Sequence, residues 1–234
     1  MALGSAAWRG NCQLVILLLE YNADVNARPQ PCGGWTALQE AVEQDNKVIV
    51  RVLFKVGVDV NASPHHDHGK KALQAAVAEG HFDIAHILLD VGADVNSPTA
   101  EMVGITALQG ASTKGFLGMV KFLIHVGADP CAPAGKYSAM AKLSGASWYG
   151  RLDVIQLLLN AMAAVDPAKP SRKHLARAAC SAKMEGHTAI VKNFDPLICS
   201  KESGEDSEEG CMDESMDQSE DGEWIEIAPL SMSR

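Results

Sequence analysis

An all-α solenoid of stacked helix–turn–helix units joined by loops, with an acidic tail, is the fold class predicted by three observations. The first is a 35-residue period: Leu3, Leu38, Leu73, Leu108 and Leu143 share it, as do Ala6, Ala41, Ala76, Ala111 and Ala146. Gly10, Asp45, Gly80, Gly115 and Gly150 form a third series, and Asp24, Asp59, Asp94 and Asp129 a fourth. Repeats at this period mark solenoids, because one short helix pair cannot bury its apolar faces alone. The second is composition. The chain is 47% hydrophobic but only 5% aromatic, and alanine and leucine carry most of the apolar content, which favours helices over a β-sandwich. The third is a change near Ser200, where the apolar periodicity stops and acid, serine and glycine take over.

The elements follow in order. The segment Thr106-Ala-Leu-Gln-Gly-Ala-Ser-Thr-Lys-Gly115 is a short helix ending at glycine, and Met119-Val-Lys-Phe-Leu-Ile-His-Val-Gly127 is a second helix with a broad apolar face. Ala128-Asp129-Pro130 then opens the loop to the next unit. Successive units are expected at about 1–26, 34–61, 69–96, 104–131, 135–166 and 173–195, giving an array over 1–199. Gly57, Gly92 and Gly127 follow the second helices, where a left-handed cap is required, and Asn22 is a tolerated substitute. Met162 holds that place in the fifth unit and is poorly suited to positive φ, so its helix should run on or end without that cap. The fifth unit has an irregular entry, Ala134-Gly-Lys-Tyr-Ser-Ala-Met140. In the degenerate sixth, Gly186 is one residue off the period, Asn193 falls in an apolar column and Pro196 is expected to stop the helix. Loss of that apolar stripe would suit a C-terminal cap. Residues 200–234 are read as a disordered acidic tail, with too little apolar surface to offset chain ordering.

The repeat text resembles the ankyrin family. It is carried by Gly34-Trp-Thr-Ala-Leu-Gln39, Ala75-Ala-Val-Ala-Glu-Gly-His81, Ile84-Ala-His-Ile-Leu-Leu89 and Gly92-Ala-Asp-Val-Asn96. The family's Thr-Pro-Leu-His entry stands here as Thr-Ala-Leu-Gln at Thr36 and Thr106, and as Lys-Ala-Leu-Gln at Lys71. The resemblance spans about residues 1–194 and implies helix pairs with intervening β-hairpin loops. It implies a structural role for His81 and His187, packing and hydrogen-bonding within the turn. The repeats look most like those of filamentous fungi, which implies a place at the C-terminal end of a larger receptor-like protein. Met1-Ala2-Leu3 aligns with Thr36-Ala-Leu38, so the chain starts inside a repeat, with Ala2 and Trp8 uncovered. A fragment of a longer array is the expectation, with a native cap as the alternative.

Several function classes are disfavoured. The net charge of −9 divides unevenly: residues 195–234 hold thirteen acids and two bases, whereas residues 1–194 hold sixteen acids and eighteen bases. Those bases form no dense run, so nucleic-acid binding is not expected. The longest apolar run, Leu14 to Leu19, is far short of the roughly 20 residues a membrane span needs. No secretory signal is visible, and six scattered cysteines without a close pair read as reduced thiols of an intracellular protein, in cytoplasm or nucleus. No nucleophile elbow, Walker loop or His-Glu-x-x-His occurs, so neither catalysis nor a cofactor is expected. His65-His66-Asp67-His68 is a solvated hairpin tip before it is a metal site, because adjacent ligands rarely converge tetrahedrally. His86 and His125 lean toward solvent on second helices.

The favoured class is protein–protein recognition by a monomeric, non-catalytic scaffold; the alternative is a C-terminal sensing or regulatory fragment of a larger receptor-like protein or enzyme. Repeat alignment puts Trp8 and Arg9, Glu40, Glu43 and Gln44, Ala78 and Glu79, Thr113 and Lys114, and Trp148 and Tyr149 at exposed first-helix positions. Trp35, Lys70 and Tyr137 should lie along the same concave side. Trp and Tyr are enriched as interface anchors, although Trp8 and Trp148 would also serve to cover neighbouring repeats. In the tail, Trp224 and Ile227 follow an acidic run and resemble the motif by which clients add a strand to ubiquitin-like autophagy proteins. Docking of the tail on basic groups of the array is the alternative, and a purely solubilising tail the plainer one. Ser203-Gly-Glu-Asp206 has the spacing acidophilic kinases prefer.

Overall fold

The computed structural model describes residues 2–27, 35–63, 70–97, 105–132, 142–166 and 172–199. Among these it is all-helical, with the helices in antiparallel pairs. The first helices are α1 (Ala2–Trp8), α3 (Ala37–Glu43), α5 (Ala72–Glu79), α7 (Ala107–Lys114), α9 (Lys142–Trp148) and α11 (Arg172–Met184). Their partners are α2 (Cys12–Glu20), α4 (Lys47–Lys55), α6 (Phe82–Asp90), α8 (Leu117–His125), α10 (Leu152–Val165) and α12 (Thr188–Cys199). No strand occurs among the described residues. Most of the connecting loop segments, and the cluster at His65 to His68, lie outside them.

Helices α2, α3, α4 and α7 each start where a side chain satisfies a free backbone N–H. Thr36 and Thr106 make capping boxes: Gln39 N–H donates to Thr36 Oγ1 (3.2 Å) while Gln39 Oε1 accepts from Thr36 N–H (2.8 Å), and Gln109 repeats both contacts. Lys71 has no acceptor, so only the Gln74 half of the box survives there. Asn11 and Asn46 cap α2 and α4 through their side-chain oxygens.

The first helices pack directly against one another along the array. They can approach closely because the contact positions are small: Ala6, Ala41, Ala76, Ala111 and Ala146 are all essentially buried. The second helices supply the bulk, in triplets such as Ile49, Val50 and Leu53, or Val154, Ile155 and Leu158. The buried apolar residues form one continuous cluster from Leu3 to Phe194.

A ladder of amides stitches the outer joints of the early units. Asn61 Nδ2 donates to Gly92 O (3.1 Å) and its Oδ1 accepts from Asp94 N–H (2.9 Å). Asn26 makes the same pair with Gly57 and Asp59, and Asn96 with Gly127 and Asp129. Asp24, Asp59, Asp94 and Asp129 each brace their own loop by accepting from the N–H two residues on. The ladder stops where Cys131 replaces asparagine. At the matching end, the left-handed residues Asn22, Gly57, Gly92 and Gly127 give way to Met162. As expected, α10 runs past Met162 to Val165 and closes on an extended Asp166.

The last unit departs from the expectation. Pro196 does not stop α12, which continues to Cys199 with the proline inside it. The one-residue offset also moves the column: Phe194, not Asn193, takes the core position and is fully buried, while Asn193 is exposed. Ile190 and Phe194 are buried and Ile198 packs against the core, so apolar contacts on both sides of Pro196 carry the helix through. The apolar stripe is therefore kept. Cys12 and Cys131 are free thiols.

Candidate protein-recognition surface

The C-terminal ends of the first helices and the residues just before α3 and α5 carry the residues singled out for binding. Trp8 is 55% exposed and Tyr149 49% exposed, and Arg9, Gln44, Glu79 and Lys114 are exposed beside their helix ends. Trp35, Glu40, Glu43, Lys70, Thr113 and Trp148 are half-buried. Ala78 is a correction: at 6% exposure it is buried, because Gly110 of the next first helix packs against it. Tyr137, Trp224 and Ile227 lie outside the described residues.

The centre of this row is electrostatically frustrated. Burial raises the pKa of the Glu40 carboxyl above its ordinary 4.5, with Glu43 adding repulsion. Burial does the same to Glu43, with repulsion from Glu79 next and partial relief from Lys70 and His81. Lys70 Nζ meets Glu79 at 3.1 Å, so this lysine is shared between two carboxylates. Glu43 Oε2 is shielded from water and accepts no hydrogen bond among the described residues. A carboxylate oxygen in that condition gains from any donor brought to it.

The histidines expected to serve their own turns act across the joints instead. His81 Nε2 lies 3.3 Å from Glu43 O, and its Nδ1 lies 3.8 Å from Asp45. His187 Nε2 reaches Trp148 O at 3.0 Å. Each imidazole thus ties its unit to the last turn of the preceding first helix, the turn that carries the candidate residues. Phe116 takes the equivalent position in the fourth unit and lies against Gly80 and Phe82. His86 and His125 are exposed as expected. On the outer side, Lys47 and Asp83 pair between α4 and α6; the hydrogen bond and charge of Lys47 hold the Asp83 carboxyl below its usual range.

Among the described residues no group of three metal-ligating side chains converges. No helix there is long and apolar enough to cross a membrane. A family model for ankyrin repeats in three copies matches residues 3–99, and an ankyrin-repeat model matches residues 103–134. The chain belongs to the ankyrin-repeat family. No curated protein matches it. Ankyrin repeats are generally protein–protein interaction modules, and the family is typically non-catalytic.

Sequence reasoning missed two sets of residues. The amide ladder Asn26, Asn61 and Asn96 and the buried Gln39, Gln74 and Gln109 both recur at the 35-residue step. The period that exposed the leucines and alanines would have found them. The partnering of His81 with Glu43, by contrast, depends on how adjacent units stack.

Proposed function

We propose that this ankyrin array captures a protein partner across the ends of its first helices, as a non-catalytic recognition module. Trp8 and Trp35 anchor one end, Trp148 and Tyr149 the other, and Glu40, Glu43 and Glu79 set the charge between them. The observation that carries the reading is the shielded, unbonded Glu43 oxygen among carboxylates that repel one another. Such a group costs the free array stability and rewards a partner that brings an arginine or lysine. Exposed aromatics flanking it supply contact area at low entropic cost.

Affinity capture with the full chain tests this. Trp148→Ala with Tyr149→Ala should weaken capture at least tenfold while the melting midpoint falls by no more than a few degrees. Glu43→Gln should weaken it further, more at low salt than at high salt. Capture that survives both changes, or global unfolding on losing the aromatic pair, would show that these residues pack the stack and do not bind.

A further inference from the structure

The outer face of the array carries a feature that the recognition row does not use. Between α6 and α8 lies an open apolar hollow of ≈ 420 Å³ lined by Phe82, His86, Phe116, Gly118, Met119 and Phe122. Phe82 and Phe116 meet edge to face at 4.9 Å, and His86 lies 4.0 Å from the Phe122 ring. Phe82 is 38% exposed even so. Gly118 makes the opening: the same position holds Val48 in α4, Asp83 in α6 and Asp153 in α10, and a Cβ at Gly118 would meet nothing within 4 Å.

The surroundings are cationic. Arg51, His86 and Lys121 occupy one outer position in successive units, and Lys55 and His125 lie one turn further along α4 and α8. All five are exposed, and no carboxylate lies within ion-pair distance of Arg51, Lys55 or Lys121 among the described residues. Of the carboxylates on α6, Asp83 is engaged by Lys47, and Asp90 shares the outer position of Lys55 and His125, between the two and one turn beyond His86.

We propose that the hollow seats the chain's own C-terminal segment, with Trp224 and Ile227 as apolar anchors. Glu220, Asp221, Glu223 and Glu226 would then meet the Lys121, His125 and Arg51 side of the face. Three facts support this occupant. The tail has thirteen acids in residues 195–234, opposite in sign to the stripe. Trp224 is the one tryptophan in a segment otherwise poor in apolar residues. Reach is adequate: twenty-four residues separate Cys199 from Trp224, and a chain of that length spans roughly 25–30 Å as a coil. The hollow is two helix steps back from α12, or about 20 Å at the usual 8–10 Å per step. Tethering then makes the contact intramolecular, at an effective concentration on the order of millimolar.

Hydrogen exchange on the full chain tests it against the full chain bearing Trp224→Ala and Ile227→Ala. Amides of residues 82–90 and 116–125 should exchange at least threefold faster in the variant, and the difference should shrink in high salt. Gly118→Trp, which fills the hollow from an open position, should give the same acceleration. A synthetic peptide of residues 219–230 should slow exchange in the tail variant but not once Gly118→Trp is added. Equal exchange in parent and tail variant overturns the proposal, as does peptide protection that ignores Gly118→Trp. Protection that rises with protein concentration also overturns it, because the tail would then be docking on another copy.

Discussion

Replacing Gly150 by alanine should injure the joint between the fifth and sixth units in two separable ways. Gly150 sits at φ +72°, so any Cβ carries the left-handed penalty, about 1–2 kcal/mol. That Cβ would also lie 2.9 Å from His187 Cε1 and 3.1 Å from both ring nitrogens. The imidazole must move, and its 3.0 Å bond to Trp148 O goes with it, which adds about 0.5–1.5 kcal/mol. The total is roughly 1.5–3.5 kcal/mol. Gly127→Ala is the control: φ is +93°, but nothing lies within 4 Å of its Cβ, so only the backbone penalty applies. Denaturant unfolding gives the stabilities, and hydrogen exchange across α11 and α12 shows whether the last unit loosens first, as nearest-neighbour stacking requires. A double-mutant cycle with His187→Ala isolates the joint and should give a coupling of about 0.5–1.5 kcal/mol. Equal losses for Gly150→Ala and Gly127→Ala, or no coupling, would refute the idea that these glycines are shaped by the next unit's side chain.

Other outcomes follow from the same contacts. Asn61→Ala removes two inter-unit bonds and should cost about 1–2 kcal/mol, since the freed groups are reached by water; urea midpoints measure it. Cys131→Asn should gain nothing, because the Met162 carbonyl is already used inside α10 by Asp166 N–H (2.9 Å); a stability gain above about 0.5 kcal/mol would contradict the register of the ladder. Glu43→Gln should raise the neutral-pH stability slightly, by no more than about 0.5 kcal/mol for a half-buried group. The sign follows from the raised carboxyl: the folded chain holds the proton more tightly than the unfolded chain, whose value is 4.5. The parent therefore gains stability as pH falls through the interval above 4.5 and loses it as pH rises, and the variant should show a flatter profile over that range.

Much of this architecture was legible because each unit solves the same packing problem with the same residues. The leucine and alanine columns named the core, and Met162 announced a helix without a left-handed end. The misreadings have local causes. Asn193 was placed by a fixed period, whereas the offset at Gly186 puts Phe194 inward. Pro196 obeys helix propensity in isolation but sits between Phe194 and Ile198, both packed on the array. Repeat alignment puts Ala78 at an exposed position, yet Gly110 lets the next helix close over it. The charge of the candidate row was readable residue by residue. Its frustration was not, because the nearness of Glu79 to Glu43 arises only when the units stack. The hollow at Gly118 was equally hidden: a glycine on an exposed helix face gives no sign of the three phenylalanines around it.

Cross-linking mass spectrometry on the captured complex bears most directly on the claim that the first-helix ends are the recognition surface. Carboxylate-to-amine links from Glu40, Glu43 and Glu79 to lysines of the partner, with protection of Trp148 and Tyr149 from oxidative footprinting, are the expected result. Links confined to the outer helices, with the first-helix ends as reactive in the complex as in the free chain, would contradict it.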